Sequence, residues 1–222
     1  MKLLFAFSIF VAVTAVNSLP ALAYDLSVTE VNKPYEVVEI TGDPEKEHVY
    51  LGELGNFPIM YELNLIGSSS IVANIKQRHF SSSDPLNFSL IVIRKNDTGG
   101  GVTEVARMRP GKDGWTVVKD SKIGITFKES DYLRVDVEPG VYRIEISTPD
   151  NLGRYILTFG DEEESSGYLQ SLKDVRAIQK FFGFSILKML TSSLVYYPLG
   201  ILLLLFVFNR TIKYRKKIAH AD

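Results

Sequence analysis

Residues 133–147, Leu-Arg-Val-Asp-Val-Glu-Pro-Gly-Val-Tyr-Arg-Ile-Glu-Ile-Ser, decide the fold. On either side of Pro139-Gly140, apolar side chains at 133, 135, 137 and at 142, 144, 146 alternate with polar ones. Successive side chains of a strand point to opposite faces, so a period of two describes strands with one face in a core and one in water. Tyr61, Leu63 and Leu65 alternate with Glu62 and Asn64 in the same way. Less alternating segments bring the count to about ten short strands: Tyr35–Ile40, His48–Leu51, Ile71–Gln77, Phe88–Arg94, Val102–Met108, Trp115–Val118, Ile123–Phe127 and Tyr155–Phe159. Turn residues separate them, at Thr41–Pro44, Gly67–Ser70, Ser81–Pro85, Asn96–Gly101, Pro110–Gly114 and Asp150–Gly153. Many short strands with frequent turns predict a mainly β protein, an antiparallel, jelly-roll-like β-sandwich over residues 24–160.

After Gly160 the character changes. Residues 161–167 form an acidic stretch that reads as a solvated linker; a calcium loop would need its carboxylates folded round the ion with a turn glycine between them. Residues 168–188 read as an amphipathic juxtamembrane helix, with Leu169, Leu172, Val175, Ile178 and Phe182 recurring every three to four positions. It lies at the membrane interface, packs under the sandwich or continues into the next segment. That next segment, Met189 to Phe208, is twenty residues without a charge, between Lys188 and a basic tail. At 1.5 Å per residue it is about 30 Å long, the thickness of a bilayer's hydrocarbon core, and a single transmembrane helix is predicted. Pro198 predicts a kink near mid-membrane. Tyr196 and Tyr197 fall deeper than the usual aromatic belt, so their hydroxyls need a neighbouring helix or a backbone carbonyl. Tyr196, Tyr197 and Pro198 are therefore a candidate contact surface of the helix.

At the other end, Lys2, the apolar run Leu3–Val16, the helix breaker Pro20 and Ala21-Leu22-Ala23 have the layout of a signal peptide, residues 1–23, cleaved before Tyr24. An uncleaved signal anchor is the alternative. The tail 209–222 carries five Lys/Arg against one Asp, while residues 24–183 carry 18 Lys/Arg against 25 Asp/Glu. Cations concentrated just after a span hold that side in the cytoplasm. The expected localisation is the cell membrane, single-pass, with the N-terminal domain extracytoplasmic and the tail cytoplasmic. The basic residues suit anionic headgroups, and no nucleic-acid role is expected. There is no cysteine, which excludes thiol chemistry and Cys-based metal sites. A domain of this size can bury its own core without disulfides.

Pro139–Ile146, followed by Gly153-Arg154-Tyr155-Ile156-Leu157-Thr158-Phe159, resembles the closing hairpin of bacterial pre-peptidase C-terminal (PPC-like) β-sandwich domains. Phe88–Val92 resembles an earlier strand of that family, and the likeness covers residues 86–160. The resemblance implies a compact, non-catalytic sandwich that helps exported proteins contact substrates or surfaces. Some relatives bind calcium beside that earlier strand. Asn87 and Ser89 stand there in this chain, so no metal site carries over.

Catalytic motifs are scarce. His48 and His79 are the histidines of residues 24–188, and neither a G-x-S-x-G elbow nor an H-E-x-x-H pair is present. Gly99-Gly100-Gly101 lacks the Lys-Ser/Thr of a phosphate loop and reads as a turn. Asn87 and Asn96 head glycosylation acceptor patterns. Trp115, the one tryptophan, is the candidate binding residue if exposed and a core residue otherwise. No enzyme activity, cofactor or metal is expected. The expected function is a membrane-anchored binding module whose partners are the lipid bilayer and a protein or envelope glycan. An accessory subunit of a membrane transport or secretion complex is the alternative. A tethered carboxylate hydrolase ranks below both and would need two carboxylates roughly 5–9.5 Å apart.

Overall fold

The computed structural model describes residues 21–218 apart from 24, 31–32, 35, 97–99, 112–113 and 163. Two sheets face each other. The larger runs β2 (Asp25–Glu30), β4 (His48–Gly55), β13 (Leu152–Phe159), β6 (Ser69–Arg78), β10 (Ile125–Ser130) and β9 (Trp115–Asp120), with β11 (Leu133–Val137) beside the first half of β6. The smaller runs β3 (Val37–Glu39), β5 (Ile59–Leu65), β12 (Gly140–Ser147), β7 (Ser89–Lys95) and β8 (Val102–Met108). Pairing is antiparallel except for β2 on β4 and β3 on β5. A separate ribbon joins β1 (Ala21–Ala23) to β14 (Glu164–Ser166). Helix α1 (Tyr168–Phe181), a 3₁₀ helix η1 (Ile186–Thr191) and helix α2 (Ser193–Ile218) complete the chain.

The alternating strands of the sequence are those with one covered face. Tyr142, Ile144 and Ile146 on β12 meet Tyr155, Leu157 and Phe159 on β13 across the core between the sheets. The two strands that resemble a closing hairpin are therefore not paired with each other. The turn 148–151 carries the chain from one sheet to the other, and the Thr148 hydroxyl bridges both the N–H (3.0 Å) and the carbonyl (3.1 Å) of Leu152.

The less alternating strands have a second reason for their apolar residues. Val49, Leu51, Ile125, Phe127 and Ile156 point away from the inter-sheet core and form a second core with Val175, Ile178 and Phe182 of the α1 segment. β4 and β13 are thus covered on both faces, as buried parallel-sheet strands are, and their sequences lose the period of two, while β10 gives its apolar side chains to the second core alone. Of the three placements open for the amphipathic segment, packing on the sandwich is the one adopted. The molecule has three layers: small sheet, large sheet and α1.

Helix α1 stops at Phe181 where the sequence predicted continuation to Lys188. Gly183 has φ +78°, the left-handed conformation that only glycine adopts without strain. With Gly183 N–H on Lys180 O (2.9 Å) and Phe184 N–H on Gln179 O (2.9 Å), it closes a Schellman turn. The acidic stretch 161–167 is also more than a spacer. Glu162 exchanges backbone hydrogen bonds with residues 45–47, and Asp161 pairs with Arg134 at 2.6 Å. Residues 21–23, at the predicted cleavage site, form β1; residues 1–20 of the signal-peptide reading lie outside the described residues.

The uncharged run 189–208 holds two elements. Met189–Thr191 end η1, and α2 begins at Ser193. The cause is the hydroxyl cluster Thr191-Ser192-Ser193 and the turn it meets. In the β9–β10 turn, four consecutive carbonyls accept from this region: Ser121 O from Ser193 N–H (2.8 Å), Lys122 O from the Ser192 hydroxyl, Ile123 O from Gln179 Nε2 (2.6 Å) and Gly124 O from the Thr191 hydroxyl (3.2 Å). This latch fixes the start of α2 to the sandwich.

Helix α2 is long and apolar enough to cross a membrane over Ser193–Tyr214, and none of that stretch is buried in the protein. Pro198 is inside it, in its second turn and not near its middle. Proline offers no N–H to the carbonyl four residues earlier, which is Leu194 O. The Tyr168 hydroxyl donates to that carbonyl at 2.5 Å, and burial pushes the phenol's pKa up, keeping it a donor. We expect Tyr168→Phe to cost about 1–3 kcal/mol, the penalty for an unpaired carbonyl. In a Pro198→Ala background, where residue 198 supplies the N–H, the same change should cost little. Thermal unfolding of the four variants gives the coupling, and equal costs in both backgrounds would refute the pairing.

Candidate functional site

A half-open hollow lies where the C-terminus of α1 meets the ends of β6, β10 and β13. It is a cleft of about 360 Å³ between the loop 79–86 and the large sheet. β6 runs antiparallel to both neighbours here. Arg78 is opposite Phe127 on one side and, by the same register, Arg154 on the other. Both arginines point to the α1 face. Their position follows from the helix end: a helix C-terminus leaves carbonyls without partners and carries partial negative charge. Arg154 Nη1 donates to Phe181 O (2.8 Å) and Arg78 Nη1 to Phe182 O (3.2 Å). From within the helix, Arg176 Nη1 reaches Phe184 O at 3.1 Å.

The arginines are also held by aromatic faces. The Arg78 guanidinium is 4.7 Å from the Phe80 ring centroid and 4.3 Å from that of Phe184. Arg154 is 5.5 Å from the Phe181 ring and bonds Glu53 at 3.0 Å. On the opposite wall, Lys128 Nζ donates to Ser83 O (3.0 Å). The loop is pinned by Gln77, whose side chain donates to Leu86 O (3.0 Å) and accepts from Leu86 N–H (2.8 Å). The cleft therefore presents three cationic side chains and one carboxylate, Asp84, with Phe80, Leu86 and Phe182 as apolar walls. Such a surface suits an anionic group attached to an apolar or planar body. Sequence reading passed over it, because a Lys or Arg at a strand end looks like an ordinary solvated charge.

The fold resembles two solved structures. One is the pre-peptidase C-terminal domain of a collagenase from Bacillus anthracis, 15% identical, covering 59% of this chain and 98% of that one, with a TM-score of 0.36. The other is a Yersinia pseudotuberculosis-derived mitogen, 16% identical, covering 54% and 89%, with a TM-score of 0.35. No family model matches the chain, and no curated protein does. The weak resemblance to PPC domains is thus present in the structure as well as in the sequence. At this overlap it transfers no residue and no ligand.

The residues singled out from the sequence are elsewhere. Trp115 is 9% exposed and packs in the inter-sheet core, so its ring is not a stacking platform. His48 is buried, and its Nε2 donates to Asp43 O (2.9 Å). No group of three or more His, Cys, Asp or Glu gathers as a metal-ligand set among the described residues. Tyr196 and Tyr197 are exposed on α2 with ring centroids 4.4 Å apart, and Pro198 follows them. With α2 starting at Ser193, the two tyrosines fall in its first turn and a half instead of deep in the apolar run.

Proposed function

We propose that this protein is a single-pass, membrane-anchored binding module. Its sandwich is extracytoplasmic, its basic tail cytoplasmic, and its target is an anionic group on a protein or an envelope glycan. The observation that carries the reading is the cleft of about 360 Å³ with Arg78, Lys128 and Arg154 on its walls, built on a domain latched to an apolar helix. The signal-peptide layout of residues 1–23 and the charge separation support the orientation. Asp84 is the carboxylate of the cleft lining and Glu53 beside it is paired with Arg154, which favours binding over carboxylate-pair hydrolysis.

The test is crosslinking and co-purification of the intact protein from its native membranes, with Lys128→Glu beside it. Lys128 bonds a loop carbonyl and supports no core, so reversing its charge should leave the fold intact. We expect recovery of the partner to fall at least about tenfold, equivalent to roughly 1.4 kcal/mol. Equal recovery by the variant, or purification of the intact protein without a stoichiometric companion, would count against the reading.

A further inference from the structure

Among the described residues, one side of η1 is left uncovered. Ile186, Leu187 and Leu190 are 69%, 71% and 54% exposed, although each is a large aliphatic side chain and η1 is otherwise tied down. Its neighbours are fixed: Thr191, Ser192 and Ser193 are held by the β9–β10 turn, and Lys188 O accepts from Gln179 Nε2 (3.3 Å). η1 cannot turn these residues inward without breaking the latch.

The length of α2 says what covers them. The apolar part of the helix, residues 193–208, is about 24 Å long at 1.5 Å per residue, against a hydrocarbon core of about 30 Å. The sequence run of twenty residues seemed to match that thickness only because it counted Met189–Ser192 as helix. Counted to Tyr214 the helix reaches about 33 Å, but only with Arg210 and Lys213 in the span; the uncharged part leaves about 6 Å to be met by thinning, by snorkelling or by apolar residues flanking the helix. Arg210 and Lys213 close the tail end, and a cation is costly below the headgroups. The N-terminal end has Leu190 three residues before Ser193, and then Leu187 and Ile186 within the roughly 12 Å length of a six-residue 3₁₀ helix. Lys188 sits among them with its Nζ 5.1 Å from the Phe184 ring, a cation on an apolar stem that suits phosphate headgroups.

We infer that Ile186, Leu187 and Leu190 of η1 insert into the outer membrane interface, so that the sandwich is seated on the lipid surface by a second contact besides α2. The inference rests on α2 crossing the bilayer. The occupant is lipid: the ridge comes immediately before the lipid-facing helix in the chain and is joined to it by Ser192 alone.

The chain has no cysteine, so single cysteines can be placed and labelled with an environment-sensitive nitrobenzoxadiazole. The sites are Ile186→Cys, Leu190→Cys, Leu203→Cys in α2 and Ile66→Cys at the exposed β5–β6 turn. The full chain is reconstituted in phosphatidylcholine–phosphatidylglycerol vesicles carrying nitroxide lipids at shallow or deep positions. We expect residue 203 to lose most of its emission to deep nitroxides. Residues 186 and 190 should lose most of theirs to shallow ones, with a blue-shifted spectrum, and residue 66 should be quenched by aqueous iodide alone. If 203 is lipid-quenched while 186 and 190 respond only to iodide, the inference fails and the span stands. If 203 itself responds to iodide, the span reading fails and the inference with it. If 186 and 190 are shielded from both quenchers, a second copy covers the ridge and the lipid assignment is overturned.

Discussion

Phe182→Ala should cost about 3–5 kcal/mol, the range for truncating a buried phenylalanine that leaves a cavity. For a chain of this size that is a fall in Tm of roughly 10 °C. Phe182 is 5% exposed, packs edge-on against Phe127 at 5.7 Å and Phe181 at 5.1 Å, and its carbonyl takes the Arg78 guanidinium. Its removal acts on the second core alone, because no residue of the inter-sheet cluster is shared with it. The loss should therefore be local before it is global. In hydrogen exchange, the amides of α1 should lose protection while those of Ile144 and Leu157 keep it. Uniform loss across both cores would mean that α1 and the sandwich unfold as one unit and that the two clusters are not separable.

Gly124→Ala is the second large effect, and it reports on the latch. Gly124 has φ +73°, where an L-residue costs about 1–2 kcal/mol. An added Cβ would also lie 2.8 Å from both the carbonyl carbon and the oxygen of Thr191, backbone atoms that cannot rotate away. The turn and η1 must then separate, breaking the hydrogen bonds at carbonyls 121 to 124. We expect a fall in Tm of roughly 5–10 °C and new tryptic cleavage after Lys188. Gly124→Asn separates the two causes. Asparagine tolerates the left-handed conformation but carries the same Cβ. If it restores wild-type resistance at Lys188, backbone strain and not the close approach explains the alanine phenotype.

The sandwich was legible because most of its strands have one wet face. Val102–Met108 and Leu133–Val137 have the bounds read from the sequence, and the others differ by a few residues at their ends. β2 escaped notice because Leu26 and Val28 are too few apolar positions to mark a period, and its pairing with β4 is set by a distant partner. The second core was visible only indirectly, as strands that failed to alternate. The end of α1 was signalled by Gly183, which a count of apolar spacings overlooks. Hydropathy summed over Met189–Phe208 likewise hid three consecutive hydroxyl residues, whose role depends on carbonyls some seventy positions earlier. The cleft was illegible for a related reason: Arg78 and Arg154 become neighbours only through strand register, and their partners are backbone atoms of a helix end.

The latch has a consequence for how the domain meets anything else. A sandwich on a slack tether would sample a hemisphere above its anchor. Here the junction is tied down, since Gln179, Thr191, Ser192 and Ser193 are all bonded to one turn. If α2 crosses the bilayer, the cleft is carried at one height and one tilt, and only rotation about the helix axis and lateral diffusion are left to it. Recognition then becomes a matter of alignment: a target is reached when it stands at that altitude and faces sideways, and one suspended further out is never met, whatever its affinity.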